Sequence, residues 1–504
     1  MTRVSQPNMI RDEHRGNGYD SMRRIGAVFV LLGAGMIALG AAARGQNVPS
    51  LGAVRAIAVG SLGANEGSRE FTRALAGQVR HDKSLQVTTA AQADATLEGD
   101  GALWIRGYHS LSPRARENDA YAEPIYGGYL SVVLKAKDGE VLWSYFANSK
   151  NARSRSEVEK DLARDVLDTL AEAIRNAGAA APSAISAGRT PPTTLRAGGA
   201  TFPFPIYERW FTSFHETDPA ITITYDPSGS TAGVARFSAG QFDFAGSDIP
   251  VLFLKPQRQS IAFPTVIGGV VLAYNLPKFS GDLRLTPELA ARILAGKITR
   301  WNDAALRALN PGSSLPDQPI QVIHRGDGSG TTFALTHFLS ETVPEWKDSL
   351  GEGDRVAWPV GQGAAGNDGV SALLASTPYS FGYTEFIYAF RRQLNIASIR
   401  NAAGRFVQPD LAALAAAAEA KMDAIPPDFD ISLTNAPGRD AYPISTFTWL
   451  VVPQHEADAS KREALKHLLE WALGPAQRQV MGLGYVPLPK RLLDQELRAV
   501  AALN

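Results

Sequence analysis

The chain has 504 residues, room for several domains, and its 50 Lys plus Arg balance 50 Asp plus Glu to a formal net charge of zero. That balance excludes a global basic field for nucleic acid or an acidic membrane face, so a charged ligand must be gripped locally. Cysteine is absent, which removes disulfides, thiolate metal sites, Cys nucleophiles and a lipid-modified N-terminal Cys.

Residues 1–44 form the first segment. Arg23 and Arg24 precede an uncharged run over 25–43 that ends in Ala41, Ala42 and Ala43. This is the pattern of an export segment, either a cleaved signal peptide, which the small residues at its end favour, or an anchor retained in the inner membrane. Translation starts at Met1 or at Met22, just before the two arginines. Arginines on the cytoplasmic side place the chain beyond residue 44 outside the inner membrane, in the periplasm.

Residues 50–176 predict a small α/β domain. The alternation of 54–59 gives a strand, and Phe71, Leu75 and Val79 give a helix over 68–79. Strands come next over 85–89, 96–108, 129–135 and 141–146, the last two joined by Asp138-Gly139, a hairpin turn pair that tolerates positive φ. Leu162, Val166, Leu170 and Ile174 recur every four residues and close the domain with an amphipathic helix over 158–174. The predicted order is β-α-β-β-β-β-α. Trp104, Trp143 and Tyr145 fall on its strands. Glu66, Asp94, Glu98, His81 and His109 are scattered without ligand spacing and predict a solvated surface. The Ala, Ser, Gly and Pro of 177–192 form a linker.

The chemistry lies beyond residue 193. Gly199-Ala200-Thr201-Phe202-Pro203 leads into Ile206, Tyr207, Trp210, Phe211 and Phe214 at helical spacing. A strand over 221–225 is followed by Gly229-Ser230 and a short helix with Val234 and Phe237. A strand over 242–248 ends at Asp248, and one over 320–323 runs into Arg325-Gly326-Asp327-Gly328-Ser329-Gly330-Thr331 ahead of a helix carrying Phe333 and Phe338. Loops of this kind present helix N-termini, whose unpaired N–H groups and positive dipole end attract anions. Ser and Thr hydroxyls add donors, and Arg325 supplies a planar fork that Asp327 is placed to orient. Gly366-Asn367-Asp368-Gly369 and Gly382-Tyr383 are read as turn and core features. Asn302, Asp303 and Asp368 lack the ligand pattern of a metal site, and no cofactor is implied.

From Leu195 to about Leu493 the chain closely resembles the phosphate-binding proteins of Pst-type ABC transporters. The resemblance runs through seven ordered motifs: 199–203, 229–230, 244–248, 263–269, 301–303, 325–331 and 366–369. It implies an α/β, two-lobed periplasmic-binding-protein fold of type II over 193–504, preceded by the small α/β domain. Lobe 1 would comprise about 193–272 and 442–504, and lobe 2 about 273–441. It further implies phosphate held by Thr201, Phe202, Ser230 and Asp248 from one lobe and by Arg325, Ser329, Gly330 and Thr331 from the other, with Asp327 supporting. Delivery to an inner-membrane permease and ATPase is implied by the same resemblance. Usual family members lack the 50–176 domain, which weakly resembles small TolB N-terminal and CsgG-like periplasmic domains and to which the resemblance assigns no role; an alternative reading makes the protein a phosphate-sensing or envelope scaffold with this domain as its docking module. A phosphohydrolase is the rival class, disfavoured because no His is placed as a base.

Overall fold

The computed structural model describes residues 50–63, 66–79, 85–110, 122–177, 192–277, 279 and 281–503. The expected export segment, nearly all of the 177–192 linker, and His81 lie outside them. Among the described residues no helix is long and apolar enough to cross a membrane.

In the first domain the strands order as Gln86–Val87, Ala56–Val59, Ala95–Ser110, Ala122–Ala136 and Val141–Ala152. The short Ala56–Val59 strand pairs parallel with both neighbours, and the last three form an antiparallel meander. The hairpin turn is where the sequence put it. Gly139 has φ +91°, and the Glu140 N–H donates to Asp138 Oδ1 at 3.0 Å. Ala122–Ala136 begins seven residues before the predicted strand, because its first half pairs through Pro124, Gly127 and Gly128, which carry no alternation. Gly128 is required there, since a Cβ would lie 2.7 Å from Leu103 and 2.9 Å from Val158.

Helices Glu66–Val79 and Arg155–Ala177 cover one face of this sheet. Phe71, Leu75, Val158, Leu162, Val166 and Leu170 bury against Leu130, Val132 and Leu134 as a core of the domain's own. Side chains alternate across a strand, so Tyr129 and Ser131, with Ser144 and Phe146 on the next strand, project from the other face. That face packs against the second domain, and Phe146 belongs to the second domain's core.

The second domain is built on one continuous sheet with the 16-residue strand Ser260–Asn275 at its centre. Residues 260–269 pair with Ser445–Pro453, and residues 270–275 pair with Ser380–Glu385. One strand therefore serves both lobes, and it is buried along nearly its whole length, as expected for a strand covered on both faces. In lobe 1, Thr193–Gly199 runs parallel to Ile221–Asp226 and Phe244–Ser247. In lobe 2, Gln321–Arg325 runs parallel to Gln362–Ala364 and Ser380–Glu385. Helices flank these parallel strands, giving the two-lobed α/β architecture anticipated from the sequence. Two strand ends differ from expectation. The Phe244–Ser247 strand stops one residue before Asp248, and the Gln321–Arg325 strand continues through Arg325, which puts that side chain on the sheet rather than in the loop.

Candidate functional site

The site forms at the carboxyl ends of the parallel strands, where loops turn into helices. Gly199 has φ +131°, and a Cβ on it would lie 2.2 Å from the Gly246 carbonyl. Only glycine allows this approach, and it sets Thr201 and Phe202 at the start of the Phe204–Thr217 helix. Gly229, at φ +96°, opens the Ser230–Ser238 helix. Ser329 caps the Gly330–Thr342 helix by accepting the Thr332 N–H at 3.1 Å. Three helix N-termini thus converge, two from lobe 1 and one from lobe 2. Each offers N–H groups that its own helix cannot satisfy.

The lobes meet closely at Gly330. A Cβ there would stand 2.5 Å from Asp248 Cβ and 2.9 Å from Ser230 Oγ. Further bonds close the lobes around this point, with Thr231 Oγ1 donating to Asp354 Oδ2 and the Leu252 N–H to Asp430 Oδ2, each at 2.5 Å. As a result Thr201, Phe202, Ser230, Asp248, Arg325, Ser329 and Thr331 are all buried, none more than 8% exposed. The structure brings together every site residue named from the sequence.

Arg325 is held as the sequence suggested. Its Nε donates to Asp327 Oδ1 at 2.8 Å and its Nη2 to Oδ2 at 2.5 Å, a bidentate pair, while Nη1 reaches Thr331 Oγ1 at 3.2 Å. Burial pushes Asp327 up, but the hydrogen bonds and charge of Arg325 outweigh it and hold the carboxyl below its ordinary value. Asp248 is different. Burial pushes it up to about 7, against the opposing hydrogen bond from Thr448, the charge of Arg325 and the hydrogen bond from Ser230. Thr448 Oγ1 donates to Asp248 Oδ1 at 2.7 Å, and Ser230 Oγ lies 3.5 Å from Oδ2.

Sequence reasoning missed a surrounding frame. Asn367, fully buried, donates through Nδ2 to Thr201 Oγ1 and to Thr331 Oγ1, both at 3.1 Å, and so ties a site residue of each lobe to one amide. Its Oδ1 accepts the Glu385 N–H at 3.0 Å. The motif reading had placed it in the core, where it does sit, without its link to the site. Tyr388 and Tyr485 donate to the Thr201 and Phe202 carbonyls at 2.8 and 2.7 Å, and the Tyr383 hydroxyl accepts the Arg325 N–H at 3.1 Å. Asp368, by contrast, is exposed and pairs with Arg392 at 2.8 Å. Thr201, Glu208, Asp327, Asn367, Tyr388 and Arg391 line an open cavity of about 460 Å³ beside the site.

Asp303 caps a helix through the Ala305 N–H at 2.8 Å, and among the described residues no cluster of three or more His, Asp or Glu is arranged to hold a metal. His324 stacks on Trp358, with ring centroids 5.1 Å apart. Asp94 and Glu98 in the first domain have structural partners, the N–H groups of Arg55 and Ala56 and the ammonium of Lys135.

Residues 184–476 match the family model described as a PBP superfamily domain. The phosphate-binding protein PstS of Pasteurella multocida is 39% identical over 305 residues, 60% of this chain and 88% of that one. PstS of Xylella fastidiosa strain Temecula1 is 38% identical over 312 residues, 62% of this chain and 85% of that one. A solved phosphate-binding protein from Stenotrophomonas maltophilia is 19% identical, with a TM-score of 0.48 over 61% of this chain and 93% of that one. From its match to the superfamily model and its identity to these relatives, the chain belongs to the PstS family of phosphate-binding proteins.

Proposed function

We propose that this protein binds inorganic phosphate between its lobes in the periplasm and hands it to the permease and ATPase of an ABC-type importer. One observation carries the reading: an acceptor carboxylate, Asp248, faces Arg325 and three helix N-termini inside an enclosed site. Thr201, Phe202, Ser230, Ser329, Gly330 and Thr331 supply hydroxyl and N–H donors to the phosphate oxygens. Arg325, oriented by Asp327, supplies the charge. Asp248 accepts a hydrogen bond from the P–O–H group that phosphate carries near neutrality and sulfate lacks, so sulfate meets an unpaired and repelling contact. The family's role in binding, and the turning of His324 toward Trp358, argue against hydrolysis. Calorimetric titration at pH 8 should show tight phosphate binding and far weaker sulfate binding, with no release of chromophore from a phosphate ester. Equal affinity for the two anions, or no phosphate binding, would overturn the reading.

A further inference from the structure

We infer that the N-terminal domain is a brace across the hinge, holding the two lobes in their closed arrangement and slowing release of the bound anion. The inference rests on the phosphate reading of the site above. Its basis is the outward face of the first sheet, which touches both lobes at once.

On lobe 1 the contact is polar. Ser144 Oγ donates to the Arg478 carbonyl at 2.6 Å and accepts the Gly482 N–H at 2.9 Å. Ser131 Oγ donates to the Gly482 carbonyl, and Arg478 pairs with Glu140 of the hairpin turn. Gly482 is packed so closely that a Cβ would stand 2.7 Å from Ser144 Cβ and 2.9 Å from the Val132 carbonyl. On lobe 2 the contact is aromatic. Phe146, 3% exposed, meets Phe386 and Phe390 edge-on at centroid distances of 6.1 and 5.5 Å, backed by Tyr129 stacked at 5.3 Å.

The two footprints flank the strands that join the lobes. Val486 bridges to Ile267 on the shared central strand, and Phe386 comes directly after the strand whose Glu385 pairs with Val270 of the same central strand. Opening the cleft rotates one lobe about these strands relative to the other. A rigid domain seated on both sides keeps both contacts only in the closed arrangement seen here. Contacts made in one state and lost in the other shift the equilibrium toward the first. Closure and docking are therefore coupled, and the coupling is reciprocal.

Four full-length chains test this: wild type, Phe146→Ala, Gly482→Leu and the double variant. Gly482→Leu drives bulk into the buried interface from a turn that belongs to neither hydrophobic core, so it decides the matter even if Phe146→Ala fails to fold. Phosphate affinity is read by calorimetry and release by stopped-flow. Each substitution should weaken phosphate binding roughly 5- to 50-fold, chiefly through faster release, and the double variant should lose little more than either single one. Folded variants with wild-type affinity and release would overturn the brace while leaving the site's reading intact. A wild-type chain that takes up no phosphate would overturn that reading, and the brace with it.

Discussion

Asp248 sits in a setting that opposes its own charge, 1% exposed, yet it faces Arg325 and is bonded by Thr448 and Ser230. With its carboxyl pushed up to about 7, it is ionised above that pH and protonated below it. The sign matters for selectivity. At pH 8 the carboxylate accepts a hydrogen bond from the O–H of phosphate and repels sulfate. At pH 5 it carries its own proton and can donate to sulfate. Phosphate-over-sulfate discrimination should therefore be greatest at pH 8 and shrink as pH falls through 7, while Asp248→Asn, which carries an NH2 donor at all pH values, should be less selective at pH 8 and lose the part of the pH dependence that Asp248 contributes. Competition titrations at pH 5, 7 and 8 measure this, and a pH-independent wild-type preference would sink the argument. The proposed ligand set was legible in the sequence because each residue lies in a short local motif. Asn367 was not, since it reaches Thr201 across 166 residues of chain and Thr331 across 36, and no local pattern encodes such a meeting. Thr448 escaped for the same reason, 200 residues from Asp248.

Among the elements, the last helix, Lys490–Ala501, carries a misfit of its own. Its buried stripe is Leu492, Glu496 and Val500, four residues apart, so a carboxyl occupies the middle of an apolar face. Neither Glu496 oxygen has a hydrogen-bond partner, and burial alone raises its pKa well above the usual range. The folded state thus holds a proton that the unfolded chain releases above about pH 4.3. Stability from this group is fully present below that pH and is lost as pH rises through the folded value. Glu496→Gln should flatten the fall in melting temperature between pH 5 and 8, and Glu496→Leu should raise stability at pH 8 by on the order of 1 to 3 kcal/mol. Denaturant melts across that range check both, and an unchanged pH slope in Glu496→Gln would refute the assignment. Elements announced by period were read correctly. The Arg155–Ala177 helix shows its four-residue repeat plainly, whereas the first half of the Ala122–Ala136 strand, rich in Gly and Pro, takes its structure from its neighbours' ladders.

The whole molecule raises the question of how an extra domain with a complete core of its own relates to the domain that binds. The core beneath the first sheet is separate from the core of the two lobes, apart from Phe146, which crosses into the latter. Two separate cores ordinarily melt separately. Here they are joined by the seat on Arg478, Gly482 and Phe390. A ligand stabilises whatever state binds it, by about 4 kcal/mol at a thousandfold excess over its Kd. Without coupling, phosphate would raise only the melting of the lobes. With the domain docked on the closed lobes, part of that stabilisation passes through the interface. Scanning calorimetry of the wild-type chain should then show phosphate raising the unfolding of both cores, or merging them into one transition. In Phe146→Ala the lobes should still gain from phosphate while the first domain melts at a temperature indifferent to it. A wild-type profile in which phosphate leaves the first domain's transition in place would show that the interface transmits nothing, and that the domain is passive cargo on the binding protein.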